Sequence, residues 1–172
     1  MNEYDAFTIR SARLEDTPLI LQFIRDLAEY EKLLHEVRAT EESLRECLFG
    51  PRPVAEALIG EFEGQPAGFA LFFHNFSTFV GRPGIYIEDI FVRSEFRGRG
   101  LGTAFFLYLA ELARRRDCGR IEWAVLDWNE PAIEFYRRLG ARPMDQWRVF
   151  RLDREMIGRL AAGGGKEPDI GS

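Results

Sequence analysis

Cysteine and histidine are scarce in this chain of 172 residues, which contains two of each. Cys47 and Cys118 lie far apart and form no paired motif, so the sequence offers no disulfide framework and favours a reducing compartment. Each thiol is predicted to be a small buried hydrophobic side chain rather than a nucleophile. Neither His35 nor His74 stands at a spacing typical of metal ligands, so no metal site is expected.

Excess positive charge and long apolar runs are also lacking. The formal net charge of −5 at pH 7 argues against nucleic-acid binding, because neutralising phosphates requires a basic face. It is compatible with a cationic small molecule. The first residues lack the basic and apolar regions of a secretory signal, and no apolar run approaches the ~20 residues that span a bilayer. We therefore expect a cytoplasmic protein with neither a membrane nor a nucleic-acid partner.

The composition is that of a folded α/β domain. Hydrophobic residues make up 46% of the chain and charged residues 30%, as is usual for globular proteins. The length suits one domain with a sizeable core. Periodicity and turn residues predict one domain at 6–161 and a disordered tail at 162–172. The predicted strands are 6–10, 54–62, 67–76, 85–92, 121–126 and 149–152, and the predicted helices are 15–33, a short helix after Thr40, 100–116 and 130–139.

A glycine-rich segment between the fourth strand and the third helix carries the clearest chemical signal. Residues 97–102 read RGRGLG, and glycines let backbone N–H groups converge on a ligand without obstruction by side chains. The following helix presents unpaired N–H groups and the positive end of its dipole. Such an arrangement binds a diphosphate, to which Arg97 and Arg99 add charge and Thr103 adds a hydroxyl donor.

Other kinds of glycine-rich loop fit this segment less well. A Walker loop requires Gly-Lys-Ser/Thr, which is missing here. A dinucleotide-binding fingerprint requires G-x-G-x-x-G early in a βαβ unit, and Gly98, Gly100 and Gly102 do not have that spacing. On the loop alone, a glycine-rich turn without a ligand remains an alternative.

The segments on either side of the loop point to a family. The strand before it reads IYIEDIFV at 85–92, and residues 124–141 read AVLDWNEPAIEFYRRLGA. Together with the loop, this arrangement resembles the GNAT superfamily of N-acetyltransferases. The resemblance implies an α/β (α+β) fold with one twisted, mixed and mostly antiparallel sheet of about six to seven strands. Helices flank that sheet, and two of its strands are splayed apart where acetyl-CoA binds.

Three shorter matches resemble one branch of that superfamily, the diamine (spermidine/spermine) and thialysine acetyltransferases. They are LAEYEKL at 27–33, YIEDI at 86–90 and AVLDWN at 124–129, of which the last is more similar to the thialysine members. The resemblance implies transfer of an acetyl group from acetyl-CoA to a primary amine of a small molecule, by direct attack in a ternary complex. It also implies a homodimer, for which aromatic residues around Phe76 and Phe79 could supply contact area.

The same resemblance assigns residues to the coenzyme. Backbone groups at the end of the strand would hold the pantetheine arm and the acetyl carbonyl, and the glycine loop would hold the diphosphate. The start of the helix at 130–139 would contact the coenzyme from the opposite side. The residues so implied are Ile90, Phe91, Val92, Arg97, Gly98, Arg99, Gly100, Leu101, Gly102, Thr103, Asn129, Pro131, Ala132 and Tyr136.

The chemistry of the transfer requires a proton acceptor and a proton donor. An alkyl ammonium with a pKa of about 10 must lose a proton before attack, and a departing thiolate with a pKa of about 8.5 benefits from a donor. The resemblance implies that Tyr136 is the donor and that Glu88 binds the amine and accepts its proton. By spacing alone, Tyr136 fits core packing equally well and Glu88 fits a solvent-facing strand position. Strand alternation places Asp89 on the other face of the sheet.

Contacts to the rest of the amine are implied at Tyr30 and Glu31, which end the first helix, and at Asp145. The polyamine members carry more acidic residues around the last position, where this chain has Arg142 and Pro143. That departure favours a shorter, lysine-like amine over a polyamine.

Two other functions remain as alternatives. Acetylation of a protein N-terminus or lysine would require a wide, open groove in place of a closed amine pocket. A CoA-binding module without catalysis would not need both Glu88 and Tyr136, and both are present.

Overall fold

The computed structural model describes residues 7–163. The predicted tail lies outside this range except for positions 162 and 163, as does position 6. The chain falls into two compact units, one through residue 124 and one from residue 125. In chain order, the strands and helices are β1 (Phe7–Ser11), α1 (Thr17–Tyr30), α2 (Glu41–Phe49), β2 (Glu56–Phe62), β3 (Gln65–Ser77), β4 (Arg82–Val92), α3 (Leu101–Arg115), β5 (Ile121–Trp123), α4 (Glu130–Arg138) and α5 (Arg154–Ala161).

The strands form one sheet in the order β1-β2-β3-β4-β5. The first four are antiparallel to their neighbours, whereas β4 and β5 are parallel. The β2–β3 hairpin turns through Glu63 and Gly64, whose positive φ values of 49° and 77° are typical of a tight type I′ turn. This mixed, mostly antiparallel sheet confirms the predicted fold class. Within residues 7–163 it has five strands, fewer than the six to seven expected.

The predicted strands at 67–76 and 85–92 leave a connection between them that is mostly strand in the structure. Asn75 pairs with Gly84 and Ser77 pairs with Arg82, so only residues 78–81 separate β3 from β4. A Cβ at position 84 would lie 2.4 Å from the Oδ1 atom of Asn75 and 3.2 Å from the carbonyl oxygen of Arg120. Gly84 therefore allows its neighbours to approach closely.

The predicted closing strand at 149–152 is wrong. In the described chain this segment has no strand conformation, and Val149 and Phe150 are 85% and 91% exposed. A strand needs a neighbour to pair with its backbone groups, which alternation in one segment cannot supply. The chain instead forms α5, which the sequence did not predict, capped by Asp153 through a 2.8 Å hydrogen bond from a backbone N–H three residues on. In addition, β5 ends at Trp123 instead of residue 126.

Helices cover both faces of the sheet within the first unit. On one face α1 packs against the strands, and the rings of Phe23 and Phe69 stack with centroids 5.4 Å apart. On the other face α3 lies so close that a Cβ at Gly60 would be 2.7 Å from the ring of Phe105. The sheet is thereby packed on both faces, and this packing holds β4 in place.

The prediction that both thiols are buried is wrong. Cys47 is exposed and Cys118 is partly exposed, and both are free thiols. Cys47 lies on the outer face of α2, because Leu44 and Leu48 occupy the inward face one turn apart. Across residues 7–163, no helix has both the length and the apolar character needed to cross a bilayer.

Candidate functional site

Strand β4 extends past its parallel neighbour. The pairs between β4 and β5 run only from Ile85 to Ile87, whereas β4 continues to Val92. Residues 88–92 therefore have no β5 partner in the described chain, and we call this segment the open β4 edge. The resemblance implied such a splay between two parallel strands, and β4 and β5 are the parallel pair.

The hydrogen-bond ladder decides which backbone groups face the open β4 edge. Arg93 donates its N–H to the carbonyl of Ala67 at 2.9 Å, and opposite residues of an antiparallel pair alternate between bonded and non-bonded types. Phe91 is therefore bonded to β3, whereas Ile90 and Val92 direct their N–H and C=O groups away from β3. Ile90 supplies both groups and Val92 its N–H to an extended ligand, since the carbonyl of Val92 accepts a hydrogen bond from Arg97 at 2.8 Å.

The glycine loop has the conformation that its residue types predict. Gly98 and Gly100 have φ values of 74° and 93°, which L side chains rarely adopt, and a Cβ at Gly98 would meet no atom within 4 Å. Gly100 is the N-cap of α3 and offers the helix start no side-chain acceptor. Leu101 anchors the helix, being only 1% exposed, while Gly102 and Thr103 complete its first turn. The loop and helix start thus fit a diphosphate.

The two arginines of the loop stack on aromatic rings. The Cζ atom of Arg97 lies 4.6 Å from the ring centroid of Tyr30, and its Nε donates to the carbonyl of Val92 at 2.8 Å. The Cζ atom of Arg99 lies 5.1 Å from the ring centroid of Phe62. Cation–π contacts of this kind orient a guanidinium.

A β-bulge interrupts β4 at Glu88. Asp89 pairs with Leu71 and Ile87 pairs with Phe72, so Glu88 has no residue opposite it. The Glu88 side chain is exposed. Bulges redirect side chains and are frequent beside functional sites. Alternation cannot be counted through position 88, so the face of Asp89 that strand alternation predicts from the sequence stays a prediction.

Asp89 is the carboxylate whose ionisation the fold changes most clearly. Burial, followed by the negative charges of Glu88 and Glu31, raises its pKa to about 6. Burial also raises the pKa of Glu31. We call these three residues the carboxylate group. Among residues 7–163, no set of three or more His, Cys, Asp or Glu side chains is arranged to hold a metal ion.

Helix α1 ends at one member of the carboxylate group. Tyr30 is its last residue and Glu31 its C-cap. Lys32 follows with a φ of 62°, and the N–H of Leu33 bonds to the carbonyl of Ala28 at 2.7 Å, which is the hydrogen bond of a Schellman motif. The negative end of the helix dipole reinforces the charge of Glu31, and both favour a cation.

The second unit carries the remaining predicted residues of the coenzyme site. Asn129 is buried, caps α4, and its Oδ1 accepts the N–H of Ala132 at 3.4 Å. Pro131 lies in the first turn of that helix, where a missing N–H does no harm. Tyr136 is half-buried on α4, with its ring centroid 5.5 Å from that of Phe135.

Asp145 lies in an exposed part of the second unit. Together with Met144 and Trp147 it lines a shallow, open depression, and Trp147 is 71% exposed. The second unit by itself thus does not bury Asp145.

Comparisons with known proteins identify the family of the chain. The acetyltransferase (GNAT) family matches residues 20–141. A thialysine N-epsilon-acetyltransferase from Sus scrofa is 40% identical, and the match covers 89% of this chain and 96% of that protein. An L-ornithine N5-acetyltransferase from Arabidopsis thaliana is 32% identical, with 84% of this chain and 83% of that protein covered.

A solved structure shares the fold. An integron cassette protein from the mobile metagenome of V. cholerae matches with a TM-score of 0.75 at 22% identity, covering 91% of this chain and 98% of its own. The predictions of the superfamily and of an acetyltransferase are confirmed by the family match and by the curated relatives. The chain therefore belongs to the acetyltransferase (GNAT) family.

Proposed function

We propose that this chain acetylates the terminal amine of a small, lysine-like molecule with acetyl-CoA as the donor. The carboxylate group carries the proposal, because Glu88 and Asp89 lie in the open β4 edge and Glu31 lies at the end of α1. The names of the relatives, which are thialysine and L-ornithine acetyltransferases, support an amino acid with a side-chain amine as the acceptor.

The coenzyme half of the proposed site fits acetyl-CoA, which supplies an activated thioester. Ile90 offers both backbone groups, and Val92 its N–H, on a strand segment that lacks a β5 partner. Gly98 leaves room for phosphate oxygens, and Gly100 begins α3 with a positive φ. These groups bind and orient the donor without taking part in bond making.

The carboxylate group attracts and orients the amine. With a pKa of about 6, Asp89 is mostly ionised at pH 7. Its charge is then close to those of Glu31 and Glu88, and an ammonium placed among them offsets their mutual repulsion. Pairing of this kind also lowers the pKa of a carboxylate, so amine binding and ionisation of Asp89 favour each other.

In this proposal two side chains, Glu88 and Tyr136, carry the proton transfers. Glu88 is exposed on the bulge of β4, where it can accept the proton of the ammonium directly or through water. The neutral nitrogen then bonds to the thioester carbonyl carbon, the carbon–sulfur bond breaks, and the acylated nitrogen loses its surplus proton to solvent. Tyr136 donates its phenolic proton to the departing sulfur and recovers one from solvent.

Thiol release from acetyl-CoA across a panel of amines tests the proposal. Thialysine, lysine and ornithine should be turned over faster than putrescine, spermidine, spermine, aminoglycosides or short peptides. Turnover of peptides alone would instead support protein acetylation, and the absence of turnover with every amine would support a module without catalysis. Glu88→Gln should lose most activity at neutral pH and regain part of it in alkaline buffer. Glu95→Gln, another exposed carboxylate near the loop, is the matched control.

We also propose a homodimer, supported by apolar surface at the tip of the β3–β4 hairpin. Phe76, Phe79 and Val80 are 63%, 94% and 51% exposed there, which is unusual for neighbouring apolar residues in a monomer. Light scattering should give twice the monomer mass, and Phe79→Ser should shift it towards one. A monomer mass for the wild-type protein would refute the homodimer.

The remaining parts of the proposal concern extent and location. We propose that residues 6–161 form the catalytic domain and that 162–172 is a tail without a chemical role, so a variant ending at residue 163 should keep its turnover. The two free thiols, Cys47 and Cys118, support a reducing location such as the cytoplasm, which fractionation would test.

A further inference from the structure

Helix α1 is fastened to the end of β4 by an arginine that follows the strand. The Cζ atom of Arg93 lies 4.8 Å from the ring centroid of Phe23. Its Nε is 3.7 Å from the Oδ2 of Asp26, and its Nη1 donates to the carbonyl of Pro66 at 3.1 Å. One side chain thus connects α1, the start of β3 and the end of β4.

A second arginine, four residues further along the chain, contacts the same helix. The guanidinium of Arg97 lies over Tyr30, with the ring centroid of Phe91 5.5 Å away on β4. Its bond to the carbonyl of Val92 fixes it to the last residue of the strand. Arg97 therefore joins the end of α1 to the end of β4. Arg93 makes the same connection one to two turns earlier on the helix, at Asp26 and Phe23.

The partners of the two arginines share one face of α1. Phe23, Asp26 and Tyr30 stand at positions i, i+3 and i+7, which a helix places in one row. The side chains of Arg93 and Asp26 are only 28% and 27% exposed. Partial shielding from water strengthens their attraction compared with a fully exposed pair. We call these contacts the arginine clamp.

The clamp fixes the part of α1 that carries the proposed amine contacts. Glu31 follows Tyr30 directly, and its charge reaches Asp89 on β4 strongly enough to raise the pKa of that carboxyl. The separation between the end of α1 and the open β4 edge therefore depends on what holds the helix against the strand. A displacement of about 1 Å between reacting groups is enough to slow a transfer greatly.

We propose that Arg93 and Arg97 are positioning residues that hold the end of α1 against the open β4 edge and so set the fit of the amine. This inference rests on the proposed function, because it takes Tyr30 and Glu31 as amine contacts. It gives Arg97 a task on the amine side of the site, distinct from the phosphate contact that the sequence pattern predicts for it.

Steady-state kinetics of Arg93 variants test the clamp by itself, because no coenzyme contact is assigned to that residue. Arg93→Met keeps the length and apolar stem of the side chain but removes its charge and donors. It should raise the KM of the amine about three- to tenfold and leave the KM of acetyl-CoA within about twofold. Asp26→Asn should act in the same direction, and the double variant should be no worse than Arg93→Met, because both changes break one contact. Arg93→Lys should restore part of the loss.

Arg99→Met is the control for loss of a positive charge from the same stretch of chain. Its stack on Phe62 does not involve α1, so the amine KM should stay unchanged while the acetyl-CoA KM rises. A rise in the acetyl-CoA KM alone for Arg93→Met would overturn the inference. So would a lower melting temperature with both KM values unchanged, since that result describes a purely structural contact.

Hydrogen exchange gives a readout that needs no activity. In Arg93→Met, the backbone amides at 27–31 should exchange faster than in the wild type, whereas those at the start of α3 should not. Equal exchange at 27–31 would overturn the clamp itself. If the wild type turned over no amine but the exchange result held, the proposed function would fail and the clamp would stand.

Discussion

Replacing Asp89 by Asn removes a charge that the fold disfavours at neutral pH. Burial, followed by the charges of Glu88 and Glu31, raises the pKa of Asp89 from 3.8 to about 6. A shift of about two pKa units corresponds to at most about 3 kcal/mol. Because water reaches part of the half-buried side chain, we expect Asp89→Asn to raise the free energy of unfolding by about 1–3 kcal/mol at about pH 8.

The sign of the effect determines its dependence on pH. Folded Asp89 holds its proton more tightly than unfolded Asp89, so between the two pKa values the folded state binds more protons. The contribution of Asp89 to the stability of the wild type therefore falls as the pH rises from about 4 to about 6 and is level above that. The substituted amide does not titrate. The advantage of Asp89→Asn should thus be small at about pH 4, grow through that window and remain constant above it.

Urea unfolding of both proteins at about pH 4, 6 and 8 measures this difference. The same variant should have a higher KM for the amine, since a neutral amide does not attract an ammonium, so stability and activity should change in opposite directions. A stability difference that is equal at about pH 4 and pH 8 would refute the reasoning. Glu88→Gln removes one cause of the raised pKa and should move the window to lower pH.

Three further predictions follow from single positions. Gly68→Ala should lower the free energy of unfolding, measured in urea, by about 1–3 kcal/mol and raise the acetyl-CoA KM, because its Cβ would lie 2.4 Å from the carbonyl oxygen of Phe91. Gly158→Ala is the control, since no atom lies within 4 Å of a Cβ there. Equal effects of the two substitutions would contradict the clash. Lys32→Gly should raise the melting temperature, because glycine tolerates the φ of 62° at this position. The free energy of unfolding should rise by about 0.5–1 kcal/mol. An unchanged melting temperature would exclude strain at this position. Tyr136→Phe should lower kcat about 10²-fold or more with the acetyl-CoA Kd nearly unchanged, and wild-type turnover would exclude it as the proton donor.

Features that depend on neighbouring residues in the chain were predictable from the sequence. Thr40 caps α2 as expected, its Oγ1 accepting the N–H of Ser43 at 3.2 Å. Gly98 and Gly100 adopt positive φ values in the loop. Caps and left-handed glycines are governed by contacts within a few residues. The family could be identified for the same reason, because its blocks are short and contiguous.

Features that depend on distant partners were not predictable. Residues 149–152 read VFRL, an apolar composition that favours a strand, but in the described chain no neighbour pairs with them. The bulge at Glu88 exists because β3 offers one residue fewer than β4 at that point, and no pattern within 85–92 signals it. The sequence therefore predicted a regular strand at 85–92, and only the pairing with β3 reveals the bulge.

The loop at 97–102 and the acetyl-transfer chemistry are thus legible in the order of the residues, since backbone freedom and side-chain type are local properties. The raised pKa of Asp89 and the contacts of the arginine clamp depend on tertiary packing. Burial and the charge of Glu31 reach Asp89 from α1, far away along the chain. Desolvation is a sum over all surrounding atoms, and most of those atoms belong to other elements of the fold.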